Sequence, residues 1–270
     1  MARIKRMERV VALTKELIDS PYELFPFAFF CEKFTVAKST LSEDVQAVRN
    51  GLAAYDLGVI ETVAGASGGV RFIPYHTADA DYKFLTKLAN KMSDPERILP
   101  GCMIYMNDLI FTPYIAMRLG EIIMQRSLDL KPNYIMTVET KGIPLALFVA
   151  RAFNVPMVMA RREARITEGP AVSINYVSGS TKQIQSMSLP KKALPAGARV
   201  LIIDDFMKAG GTAKGMQKIT TEVGAIVVGT GVLIATKEPI KKMVDEYFSL
   251  LTLKDVDEEM CKIDISPVLI

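Results

Sequence analysis

Val200-Leu-Ile-Ile-Asp-Asp-Phe-Met-Lys-Ala-Gly-Gly-Thr212 joins two signals in thirteen residues. Four consecutive apolar residues, Val200 to Ile203, are what a strand buried on both faces requires. Asp204 and Asp205 follow at its carboxyl end, where open α/β sheets take their ligands. Ala209-Gly210-Gly211-Thr212 then leads into a helical pattern over residues 213–223. Glycines let the backbone approach an anion closely, and the amides at a helix start point at it. Thr212 adds a hydroxyl donor. One loop therefore offers carboxylate acceptors for a sugar diol and donors for a phosphate on the same sugar.

The flanking sequence supplies the rest of such a sheet. Strand patterns at 134–138, 157–159 and 226–233 alternate with helical ones at 143–153 and 213–223. This is the rhythm of an α/β domain with a central, mostly parallel sheet, extending over residues 76–270. Residues 75–101 predict a connecting helix and a turn at Asp94-Pro95. Thr140-Lys141-Gly142 follows a strand and precedes a helix, and Arg161, Arg162 and Arg165 follow the next strand. From Lys141 to Lys192 there are eight Lys and Arg against two Glu. That excess suits an anionic ligand or a phosphate backbone, or else marks a solvated basic surface.

Residues 1–75 follow a different pattern. Met7, Val10, Val11, Thr14, Leu17 and Ile18 recur at helical spacing, and Ser20-Pro21 ends that helix. A short apolar helix covers 26–33. A third begins near Thr40, with Thr40 and Glu43 at capping-box spacing. Leu41, Val45, Val48 and Leu52 form its buried stripe, with Ser42, Gln46 and Arg49 on the opposite side. Strands at 59–63 and 70–73 flank the turn Gly65-Ala-Ser-Gly-Gly69. A strand follows that turn, so it lacks the context of a dinucleotide-binding loop. Three helices and a ribbon are the parts of a winged helix-turn-helix, or of a small bundle that serves dimerisation. In the first case the third helix enters the DNA major groove and the wing follows the backbone. Lys38, Ser39 and Thr40 would then stand at the start of that helix. Ser42, Gln46 and Arg49 would continue along its DNA face, with Arg71, Lys5 and Arg6 touching phosphates.

Composition narrows the field. Half of the 270 residues are apolar and the formal charge is only +3, so bulk charge does not identify a nucleic-acid binder. A single histidine, His76, excludes a multi-histidine metal site or a histidine-based triad elsewhere in the chain. Cys31, Cys102 and Cys261 lie far apart without metal spacing and suit a reducing cytoplasm. No apolar run approaches the roughly 18 residues of a membrane span, and no signal-peptide core follows the basic start.

The Val200–Thr212 segment resembles the 5-phosphoribosyl-1-pyrophosphate (PRPP) motif of the type I phosphoribosyltransferases. The resemblance implies that Asp204 and Asp205 bind the ribose hydroxyls. The 5-phosphate loop is then Phe206, Met207, Lys208, Ala209, Gly210, Gly211 and Thr212. Thr140-Lys141-Gly142 corresponds to the pyrophosphate loop, which in relatives often holds a non-proline cis peptide. The segment with Arg161, Arg162 and Arg165 resembles the basic segment of adenine and xanthine phosphoribosyltransferases. Residues 167–189, with Ser178-Gly-Ser180, correspond to their flap. Tyr105 and residues 250–253 are candidates for walling a base site, or for core.

Over nearly its whole length the chain is similar to the purine operon repressors of bacteria. Ala37-Lys-Ser-Thr-Leu-Ser-Glu-Asp44, Pro95-Glu-Arg-Ile-Leu-Pro100 and Val172-Ser-Ile-Asn-Tyr-Val-Ser-Gly179 carry that resemblance beside the PRPP segment. It implies a cytoplasmic, homodimeric regulator that binds operator DNA of purine genes and senses PRPP with an accompanying Mg2+. Guanosine tetraphosphate or purine nucleotides could compete for the site. An active purine phosphoribosyltransferase, or a protein that is both enzyme and regulator, is the alternative. Ala209, where the family usually has a threonine, favours the sensor.

Overall fold

The computed structural model describes residues 4–65, 67–163, 166–177 and 183–269. Two compact units divide at Thr77 and Ala78, with Arg151–Asn154 grouped with the first. The sequence placed the boundary at 75 and 76.

In the first unit α1 spans Arg6–Asp19, α2 Phe27–Phe34 and α3 Lys38–Ala54. Strands β1 (Val59–Val63) and β2 (Gly69–Ile73) form an antiparallel ribbon in which Glu61 faces Arg71. Helix α1 buries Leu13 and Leu17, whereas Met7 and Val11 are 80% and 68% exposed. The buried side of α1 is completed by a polar residue. Arg9 donates to Asp44 at 2.6 Å, and both are buried. Helix α3 buries the expected Leu41, Val45, Val48 and Leu52 against Phe25, Phe30, Phe34 and Phe72.

The start of α3 differs from the sequence reading. Thr40 is not its N-cap. Ala37 occupies that position without a side-chain cap, and Lys38, Ser39 and Thr40 form the first turn. Thr35 ends α2 in the left-handed region at φ 54° and returns its N–H to Cys31 and Glu32 carbonyls. The chain therefore reverses within two residues, and α3 begins before the threonine whose spacing to Glu43 suggested a cap.

The second unit is built on a six-stranded sheet in the order β12-β11-β10-β9-β5-β6. These are Lys262–Pro267, Phe248–Asp257, Ile226–Thr236, Arg199–Met207, Tyr134–Val138 and Met157–Ala160. Every pairing is parallel except β11 with β12. Helices α4 (Ala78–Met92), α5 (Asn107–Ile110), α6 (Pro113–Arg126), α7 (Gly142–Phe153) and α8 (Gly211–Glu222) complete it. Two ribbons stand apart from the sheet: β3–β4 (Ile98–Leu99 with Met103–Ile104) and β7–β8 (Ala171–Val177 with Ile184–Pro190). The latter pair occupies the segment equated with the flap, but Ser178-Gly-Ser180 lies outside the described residues.

Val200 to Ile203 are completely buried in β9, as their apolar run requires. From β5 the chain runs through α7 to β6 on one side, and from β9 through α8 to β10 on the other. The winding direction thus reverses between β5 and β9, which opens a crevice beyond their carboxyl ends. Pairing of β5 with β9 stops at Met136 and Ile202, while β10 accompanies β9 to Met207. Asp204 and Asp205 are therefore held in a strand that has lost one neighbour.

Candidate functional site

Two adjoining cavities, about 500 and 390 Å3, occupy this crevice and share Lys141, Asp204, Asp205, Phe206 and Thr212. The smaller is closed by Val138–Thr140, Arg162 and Tyr176. The larger runs along Lys208–Ala213 to Gly101–Ile104, Met106 and Leu253. Strand β9 and the start of α8 thus bring the acidic pair and the glycine loop to the same wall.

Asp204 is 5% exposed, and its Oδ1 accepts the Asp205 backbone N–H at 3.0 Å. Burial, reinforced by the Asp205 charge, pushes the Asp204 carboxyl well above the usual carboxylate range. Burial also raises Asp205, opposed by hydrogen bonds from Asp204 and its own backbone and by the Lys141 charge. Both carboxyls are thereby held above the usual carboxylate range, Asp204 the more strongly. This preparation suits a ligand that offers hydroxyl donors or a cation to the pair. It also has a stability consequence. A carboxyl raised in the folded state stabilises the fold below its unfolded pKa of about 3.9, and that contribution disappears as pH climbs through the folded value. At neutral pH Asp204 is a liability, so Asp204→Asn should raise stability by about 1–3 kcal/mol. In a thermal melt this is about 2–4 °C per kcal/mol for a domain of this size. A melting temperature equal to or below that of the wild type at pH 7 would contradict the assignment.

The loop beyond the pair is shaped for an anion. Gly210 is the N-cap of α8, with φ +82°, a conformation glycine adopts freely. The first-turn amides of α8 have no earlier carbonyl partner and face the crevice with the positive end of the helix dipole. Thr212, Lys208 and Met207 line the larger cavity, and Met207, 2% exposed, also packs with Ala213, Val232, Ala235 and Val244. Across the crevice, the Glu139–Thr140 peptide is cis and precedes Lys141 and Gly142. A Cβ on Gly142 would collide with Thr137 Oγ1 and lie 3.5 Å from Asp204 Oδ1, so this loop runs directly beside the acidic pair.

The basic segment divides in two. Arg161 is engaged by Glu168 at 2.8 Å and by Glu139 at 3.2 Å. Arg162 lines the smaller cavity, and its backbone N–H donates to Glu139 Oε1 at 3.0 Å. Glu139 thus anchors the segment and leaves Arg162 toward the crevice, while Arg165 lies outside the described residues. Tyr105 does not line either cavity. It is 44% exposed, and its N–H donates to the Arg97 carbonyl. Its neighbours Ile104 and Met106 form the wall instead, because the β3–β4 turn presents alternate residues. Leu250 and Leu251 are core, and only Leu253 of that run reaches the cavity. Gly101–Ile104, Met106 and Tyr176 were not singled out from sequence. The Pro100-Gly101 turn between two short apolar runs was the available signal.

In the first unit, Arg49 ties α3 to the ribbon. It donates to Ile60 O at 3.1 Å, to Thr62 Oγ1 at 2.6 Å and to Gln46 Oε1 at 2.6 Å. Gln46 in turn donates to Asn50 at 2.8 Å. Lys38, Ser39 and Ser42 are exposed, and the Lys38 ammonium stands 5.8 Å from the Phe27 ring centroid. Ser42 Oγ donates to the Lys38 carbonyl. Arg71 pairs with Glu61 and lies over the Tyr22 ring, Arg6 reaches Asp44 at 3.4 Å, and Lys5 is exposed.

Comparison with known proteins agrees with this division. Residues 5–74 match the model of the bacterial purine repressor N-terminal domain, and 108–263 match the phosphoribosyl transferase domain. The purine biosynthesis transcriptional repressor PurR of Bacillus subtilis is 42% identical, covering 97% of this chain and 92% of its own length. The purine biosynthesis transcriptional activator PurR of Lactococcus lactis is 35% identical, covering 97% of both. Among solved structures, adenine phosphoribosyltransferase from Thermoanaerobacter pseudethanolicus superposes with a TM-score of 0.53 at 20% identity. That match covers 62% of this chain and 98% of that one, and it establishes the fold alone. A purine-repressor N-terminal domain and a phosphoribosyltransferase domain in one chain, matched along nearly its whole length, place this protein in the PurR family of bacterial purine biosynthesis transcriptional regulators.

Proposed function

We propose that the chain binds operator DNA of purine genes through its winged helix and reads PRPP in the crevice between β5 and β9, without transferring the phosphoribosyl group. The observation that carries this reading is the shared wall of Asp204, Asp205 and the Lys208–Thr212 loop, faced by Lys141. The acidic pair accepts from the ribose diol, the glycine loop and Thr212 donate to the 5-phosphate, and Thr140–Gly142 with Arg162 receive the pyrophosphate. Magnesium belongs to the same proposal. Among the described residues no cluster of three or more His, Cys, Asp and Glu could hold an ion unaided. The ion would therefore be carried by ligand oxygens, with Asp204 and Asp205 as the carboxylates the chain offers it.

Coupling between ligand and DNA is then a reciprocal linkage, in which PRPP and operator change each other's affinity by the same factor. The protein acts as a homodimer on paired half-sites in this reading. Guanosine tetraphosphate and purine nucleotides, which carry phosphates on the same sugar, are competitors at the crevice. Relatives named as repressor and as activator show that one architecture serves both signs. The test is a gel shift on a purine-gene operator with and without Mg-PRPP, beside an assay for nucleotide formation from PRPP and each purine base. A PRPP-dependent change in operator affinity with no nucleotide formed is expected. Operator affinity indifferent to PRPP would overturn the sensor, and enzyme-like turnover would replace it with a bifunctional protein.

A further inference from the structure

A buried lysine lies behind the Lys208–Thr212 loop. Lys242 is 7% exposed, and no carboxylate forms an ion pair with it among the described residues. Its ammonium donates to three oxygens instead: Lys208 O at 2.5 Å, Thr236 O at 2.7 Å and Thr236 Oγ1 at 3.1 Å. The next residue continues the contact, because the Met243 N–H donates to Ala209 O at 2.8 Å. A Cβ on Gly210 would stand 3.4 Å from Met243 N and 3.6 Å from Lys242 Cβ, so residues 242–244 lie flat against the loop.

Two consecutive carbonyls of the loop, Lys208 and Ala209, are thus drawn to one side. A trans peptide points its C=O and the following N–H in opposite directions. Fixing these carbonyls on Lys242 and Met243 aims the Ala209 and Gly210 amides the other way, toward the crevice that the loop lines. We propose that Lys242, with Met243, is the positioning element that polarises the 5-phosphate loop, so that two backbone donors face the phosphate before ligand arrives. A lone ammonium suits this task. It satisfies three acceptors from one atom, and its positive charge favours an anion on the far side of the peptide planes. Burial lowers the Lys242 pKa while the nearby Glu238 charge opposes that. The hydrogen bonds to three oxygens require the ammonium form.

This inference rests on the reading of the crevice as a PRPP site, and its test separates the two. Calorimetric titrations with Mg-PRPP, ribose 5-phosphate and inorganic pyrophosphate are made on the full-length wild type, Lys242→Met and Thr236→Val. In Lys242→Met, PRPP affinity should fall about tenfold to a hundredfold, the size of one or two lost charge-assisted hydrogen bonds. Ribose 5-phosphate should be affected in proportion, while pyrophosphate, held by the opposite loop, should bind as in wild type. Thr236→Val removes one of the three acceptors and the Thr236 hydroxyl's own contact with Lys208 O at 3.2 Å, and should show the same selectivity with a smaller loss. It also supplies the answer if Lys242→Met does not fold. Equal weakening of all three ligands would mean general distortion and overturn the proposal, as would unchanged PRPP affinity in both variants. A wild type that binds none of the three would instead refute the PRPP site itself.

Discussion

Asp204→Ala combined with Asp205→Ala should abolish PRPP binding while ligand-free protein still binds operator DNA. Each charge-assisted hydrogen bond contributes about 1.5–3 kcal/mol, so losing both acceptors should weaken binding by at least about a hundredfold. The fold should survive, because Asp204 is a buried carboxyl held above its usual pKa, and its removal relieves a desolvation cost at neutral pH. The winged helix shares no part of this acidic pair, since its core is formed by residues of the first unit. Calorimetry for PRPP and a gel shift for DNA make the comparison. Wild-type PRPP affinity in the double variant would refute the site assignment. Simultaneous loss of both activities, with a normal melting temperature, would show that the pair supports the DNA-binding state as well.

How far the sequence predicts this site depends on the kind of signal each part leaves. Val200–Thr212 is local. An apolar run, an acidic pair and a glycine turn each have their own physical signature, and the structure keeps them in that order, with α8 starting at Gly211, two residues before the helix read from sequence. The strand itself runs on to Met207, because β10 continues to pair with it after β5 has stopped. The crevice is not local. Ile104 and Met106 meet the loop across about a hundred residues of chain and Leu253 across about forty, and no periodicity reports that meeting. Lys242 was invisible for a related reason. In sequence it is one of two adjacent lysines after Pro239, indistinguishable from Lys241, and only the fold buries one of them. The same limit applies to Arg9 and Asp44, which no sequence pattern pairs and which form a buried contact between α1 and α3. Thr40 shows the opposite error. Its spacing to Glu43 was a true capping pattern in sequence, but the left-handed turn at Thr35 had already started the helix.

The proposed DNA face gives the second large effect, and its residues have different surroundings in the structure. Lys38 stands exposed in the first turn of α3, where free amides and the helix dipole favour a phosphate. Replacing it with Ala should weaken operator binding and flatten the salt dependence by about one unit of slope. Gln46 is exposed on the same helix, and its replacement should cost about 1–3 kcal/mol of discrimination at one base position. Arg49 should behave differently from both. Its guanidinium fastens α3 to β1 through Ile60 O and Thr62 Oγ1, and it orients Gln46 through Oε1. Arg49→Ala should therefore release the wing and free Gln46 together. The expected result is weaker binding across all sequences together with relaxed preference at the Gln46 position, a combination neither single contact produces. Gel shifts across a salt series, on the operator and on single-base variants of it, distinguish these outcomes. Should Lys38→Ala, Gln46→Ala and Arg49→Ala all bind as wild type while neutralising Arg161 and Arg162 destroys binding, α3 is not the recognition helix. The basic surface of the second unit would then be what holds the DNA.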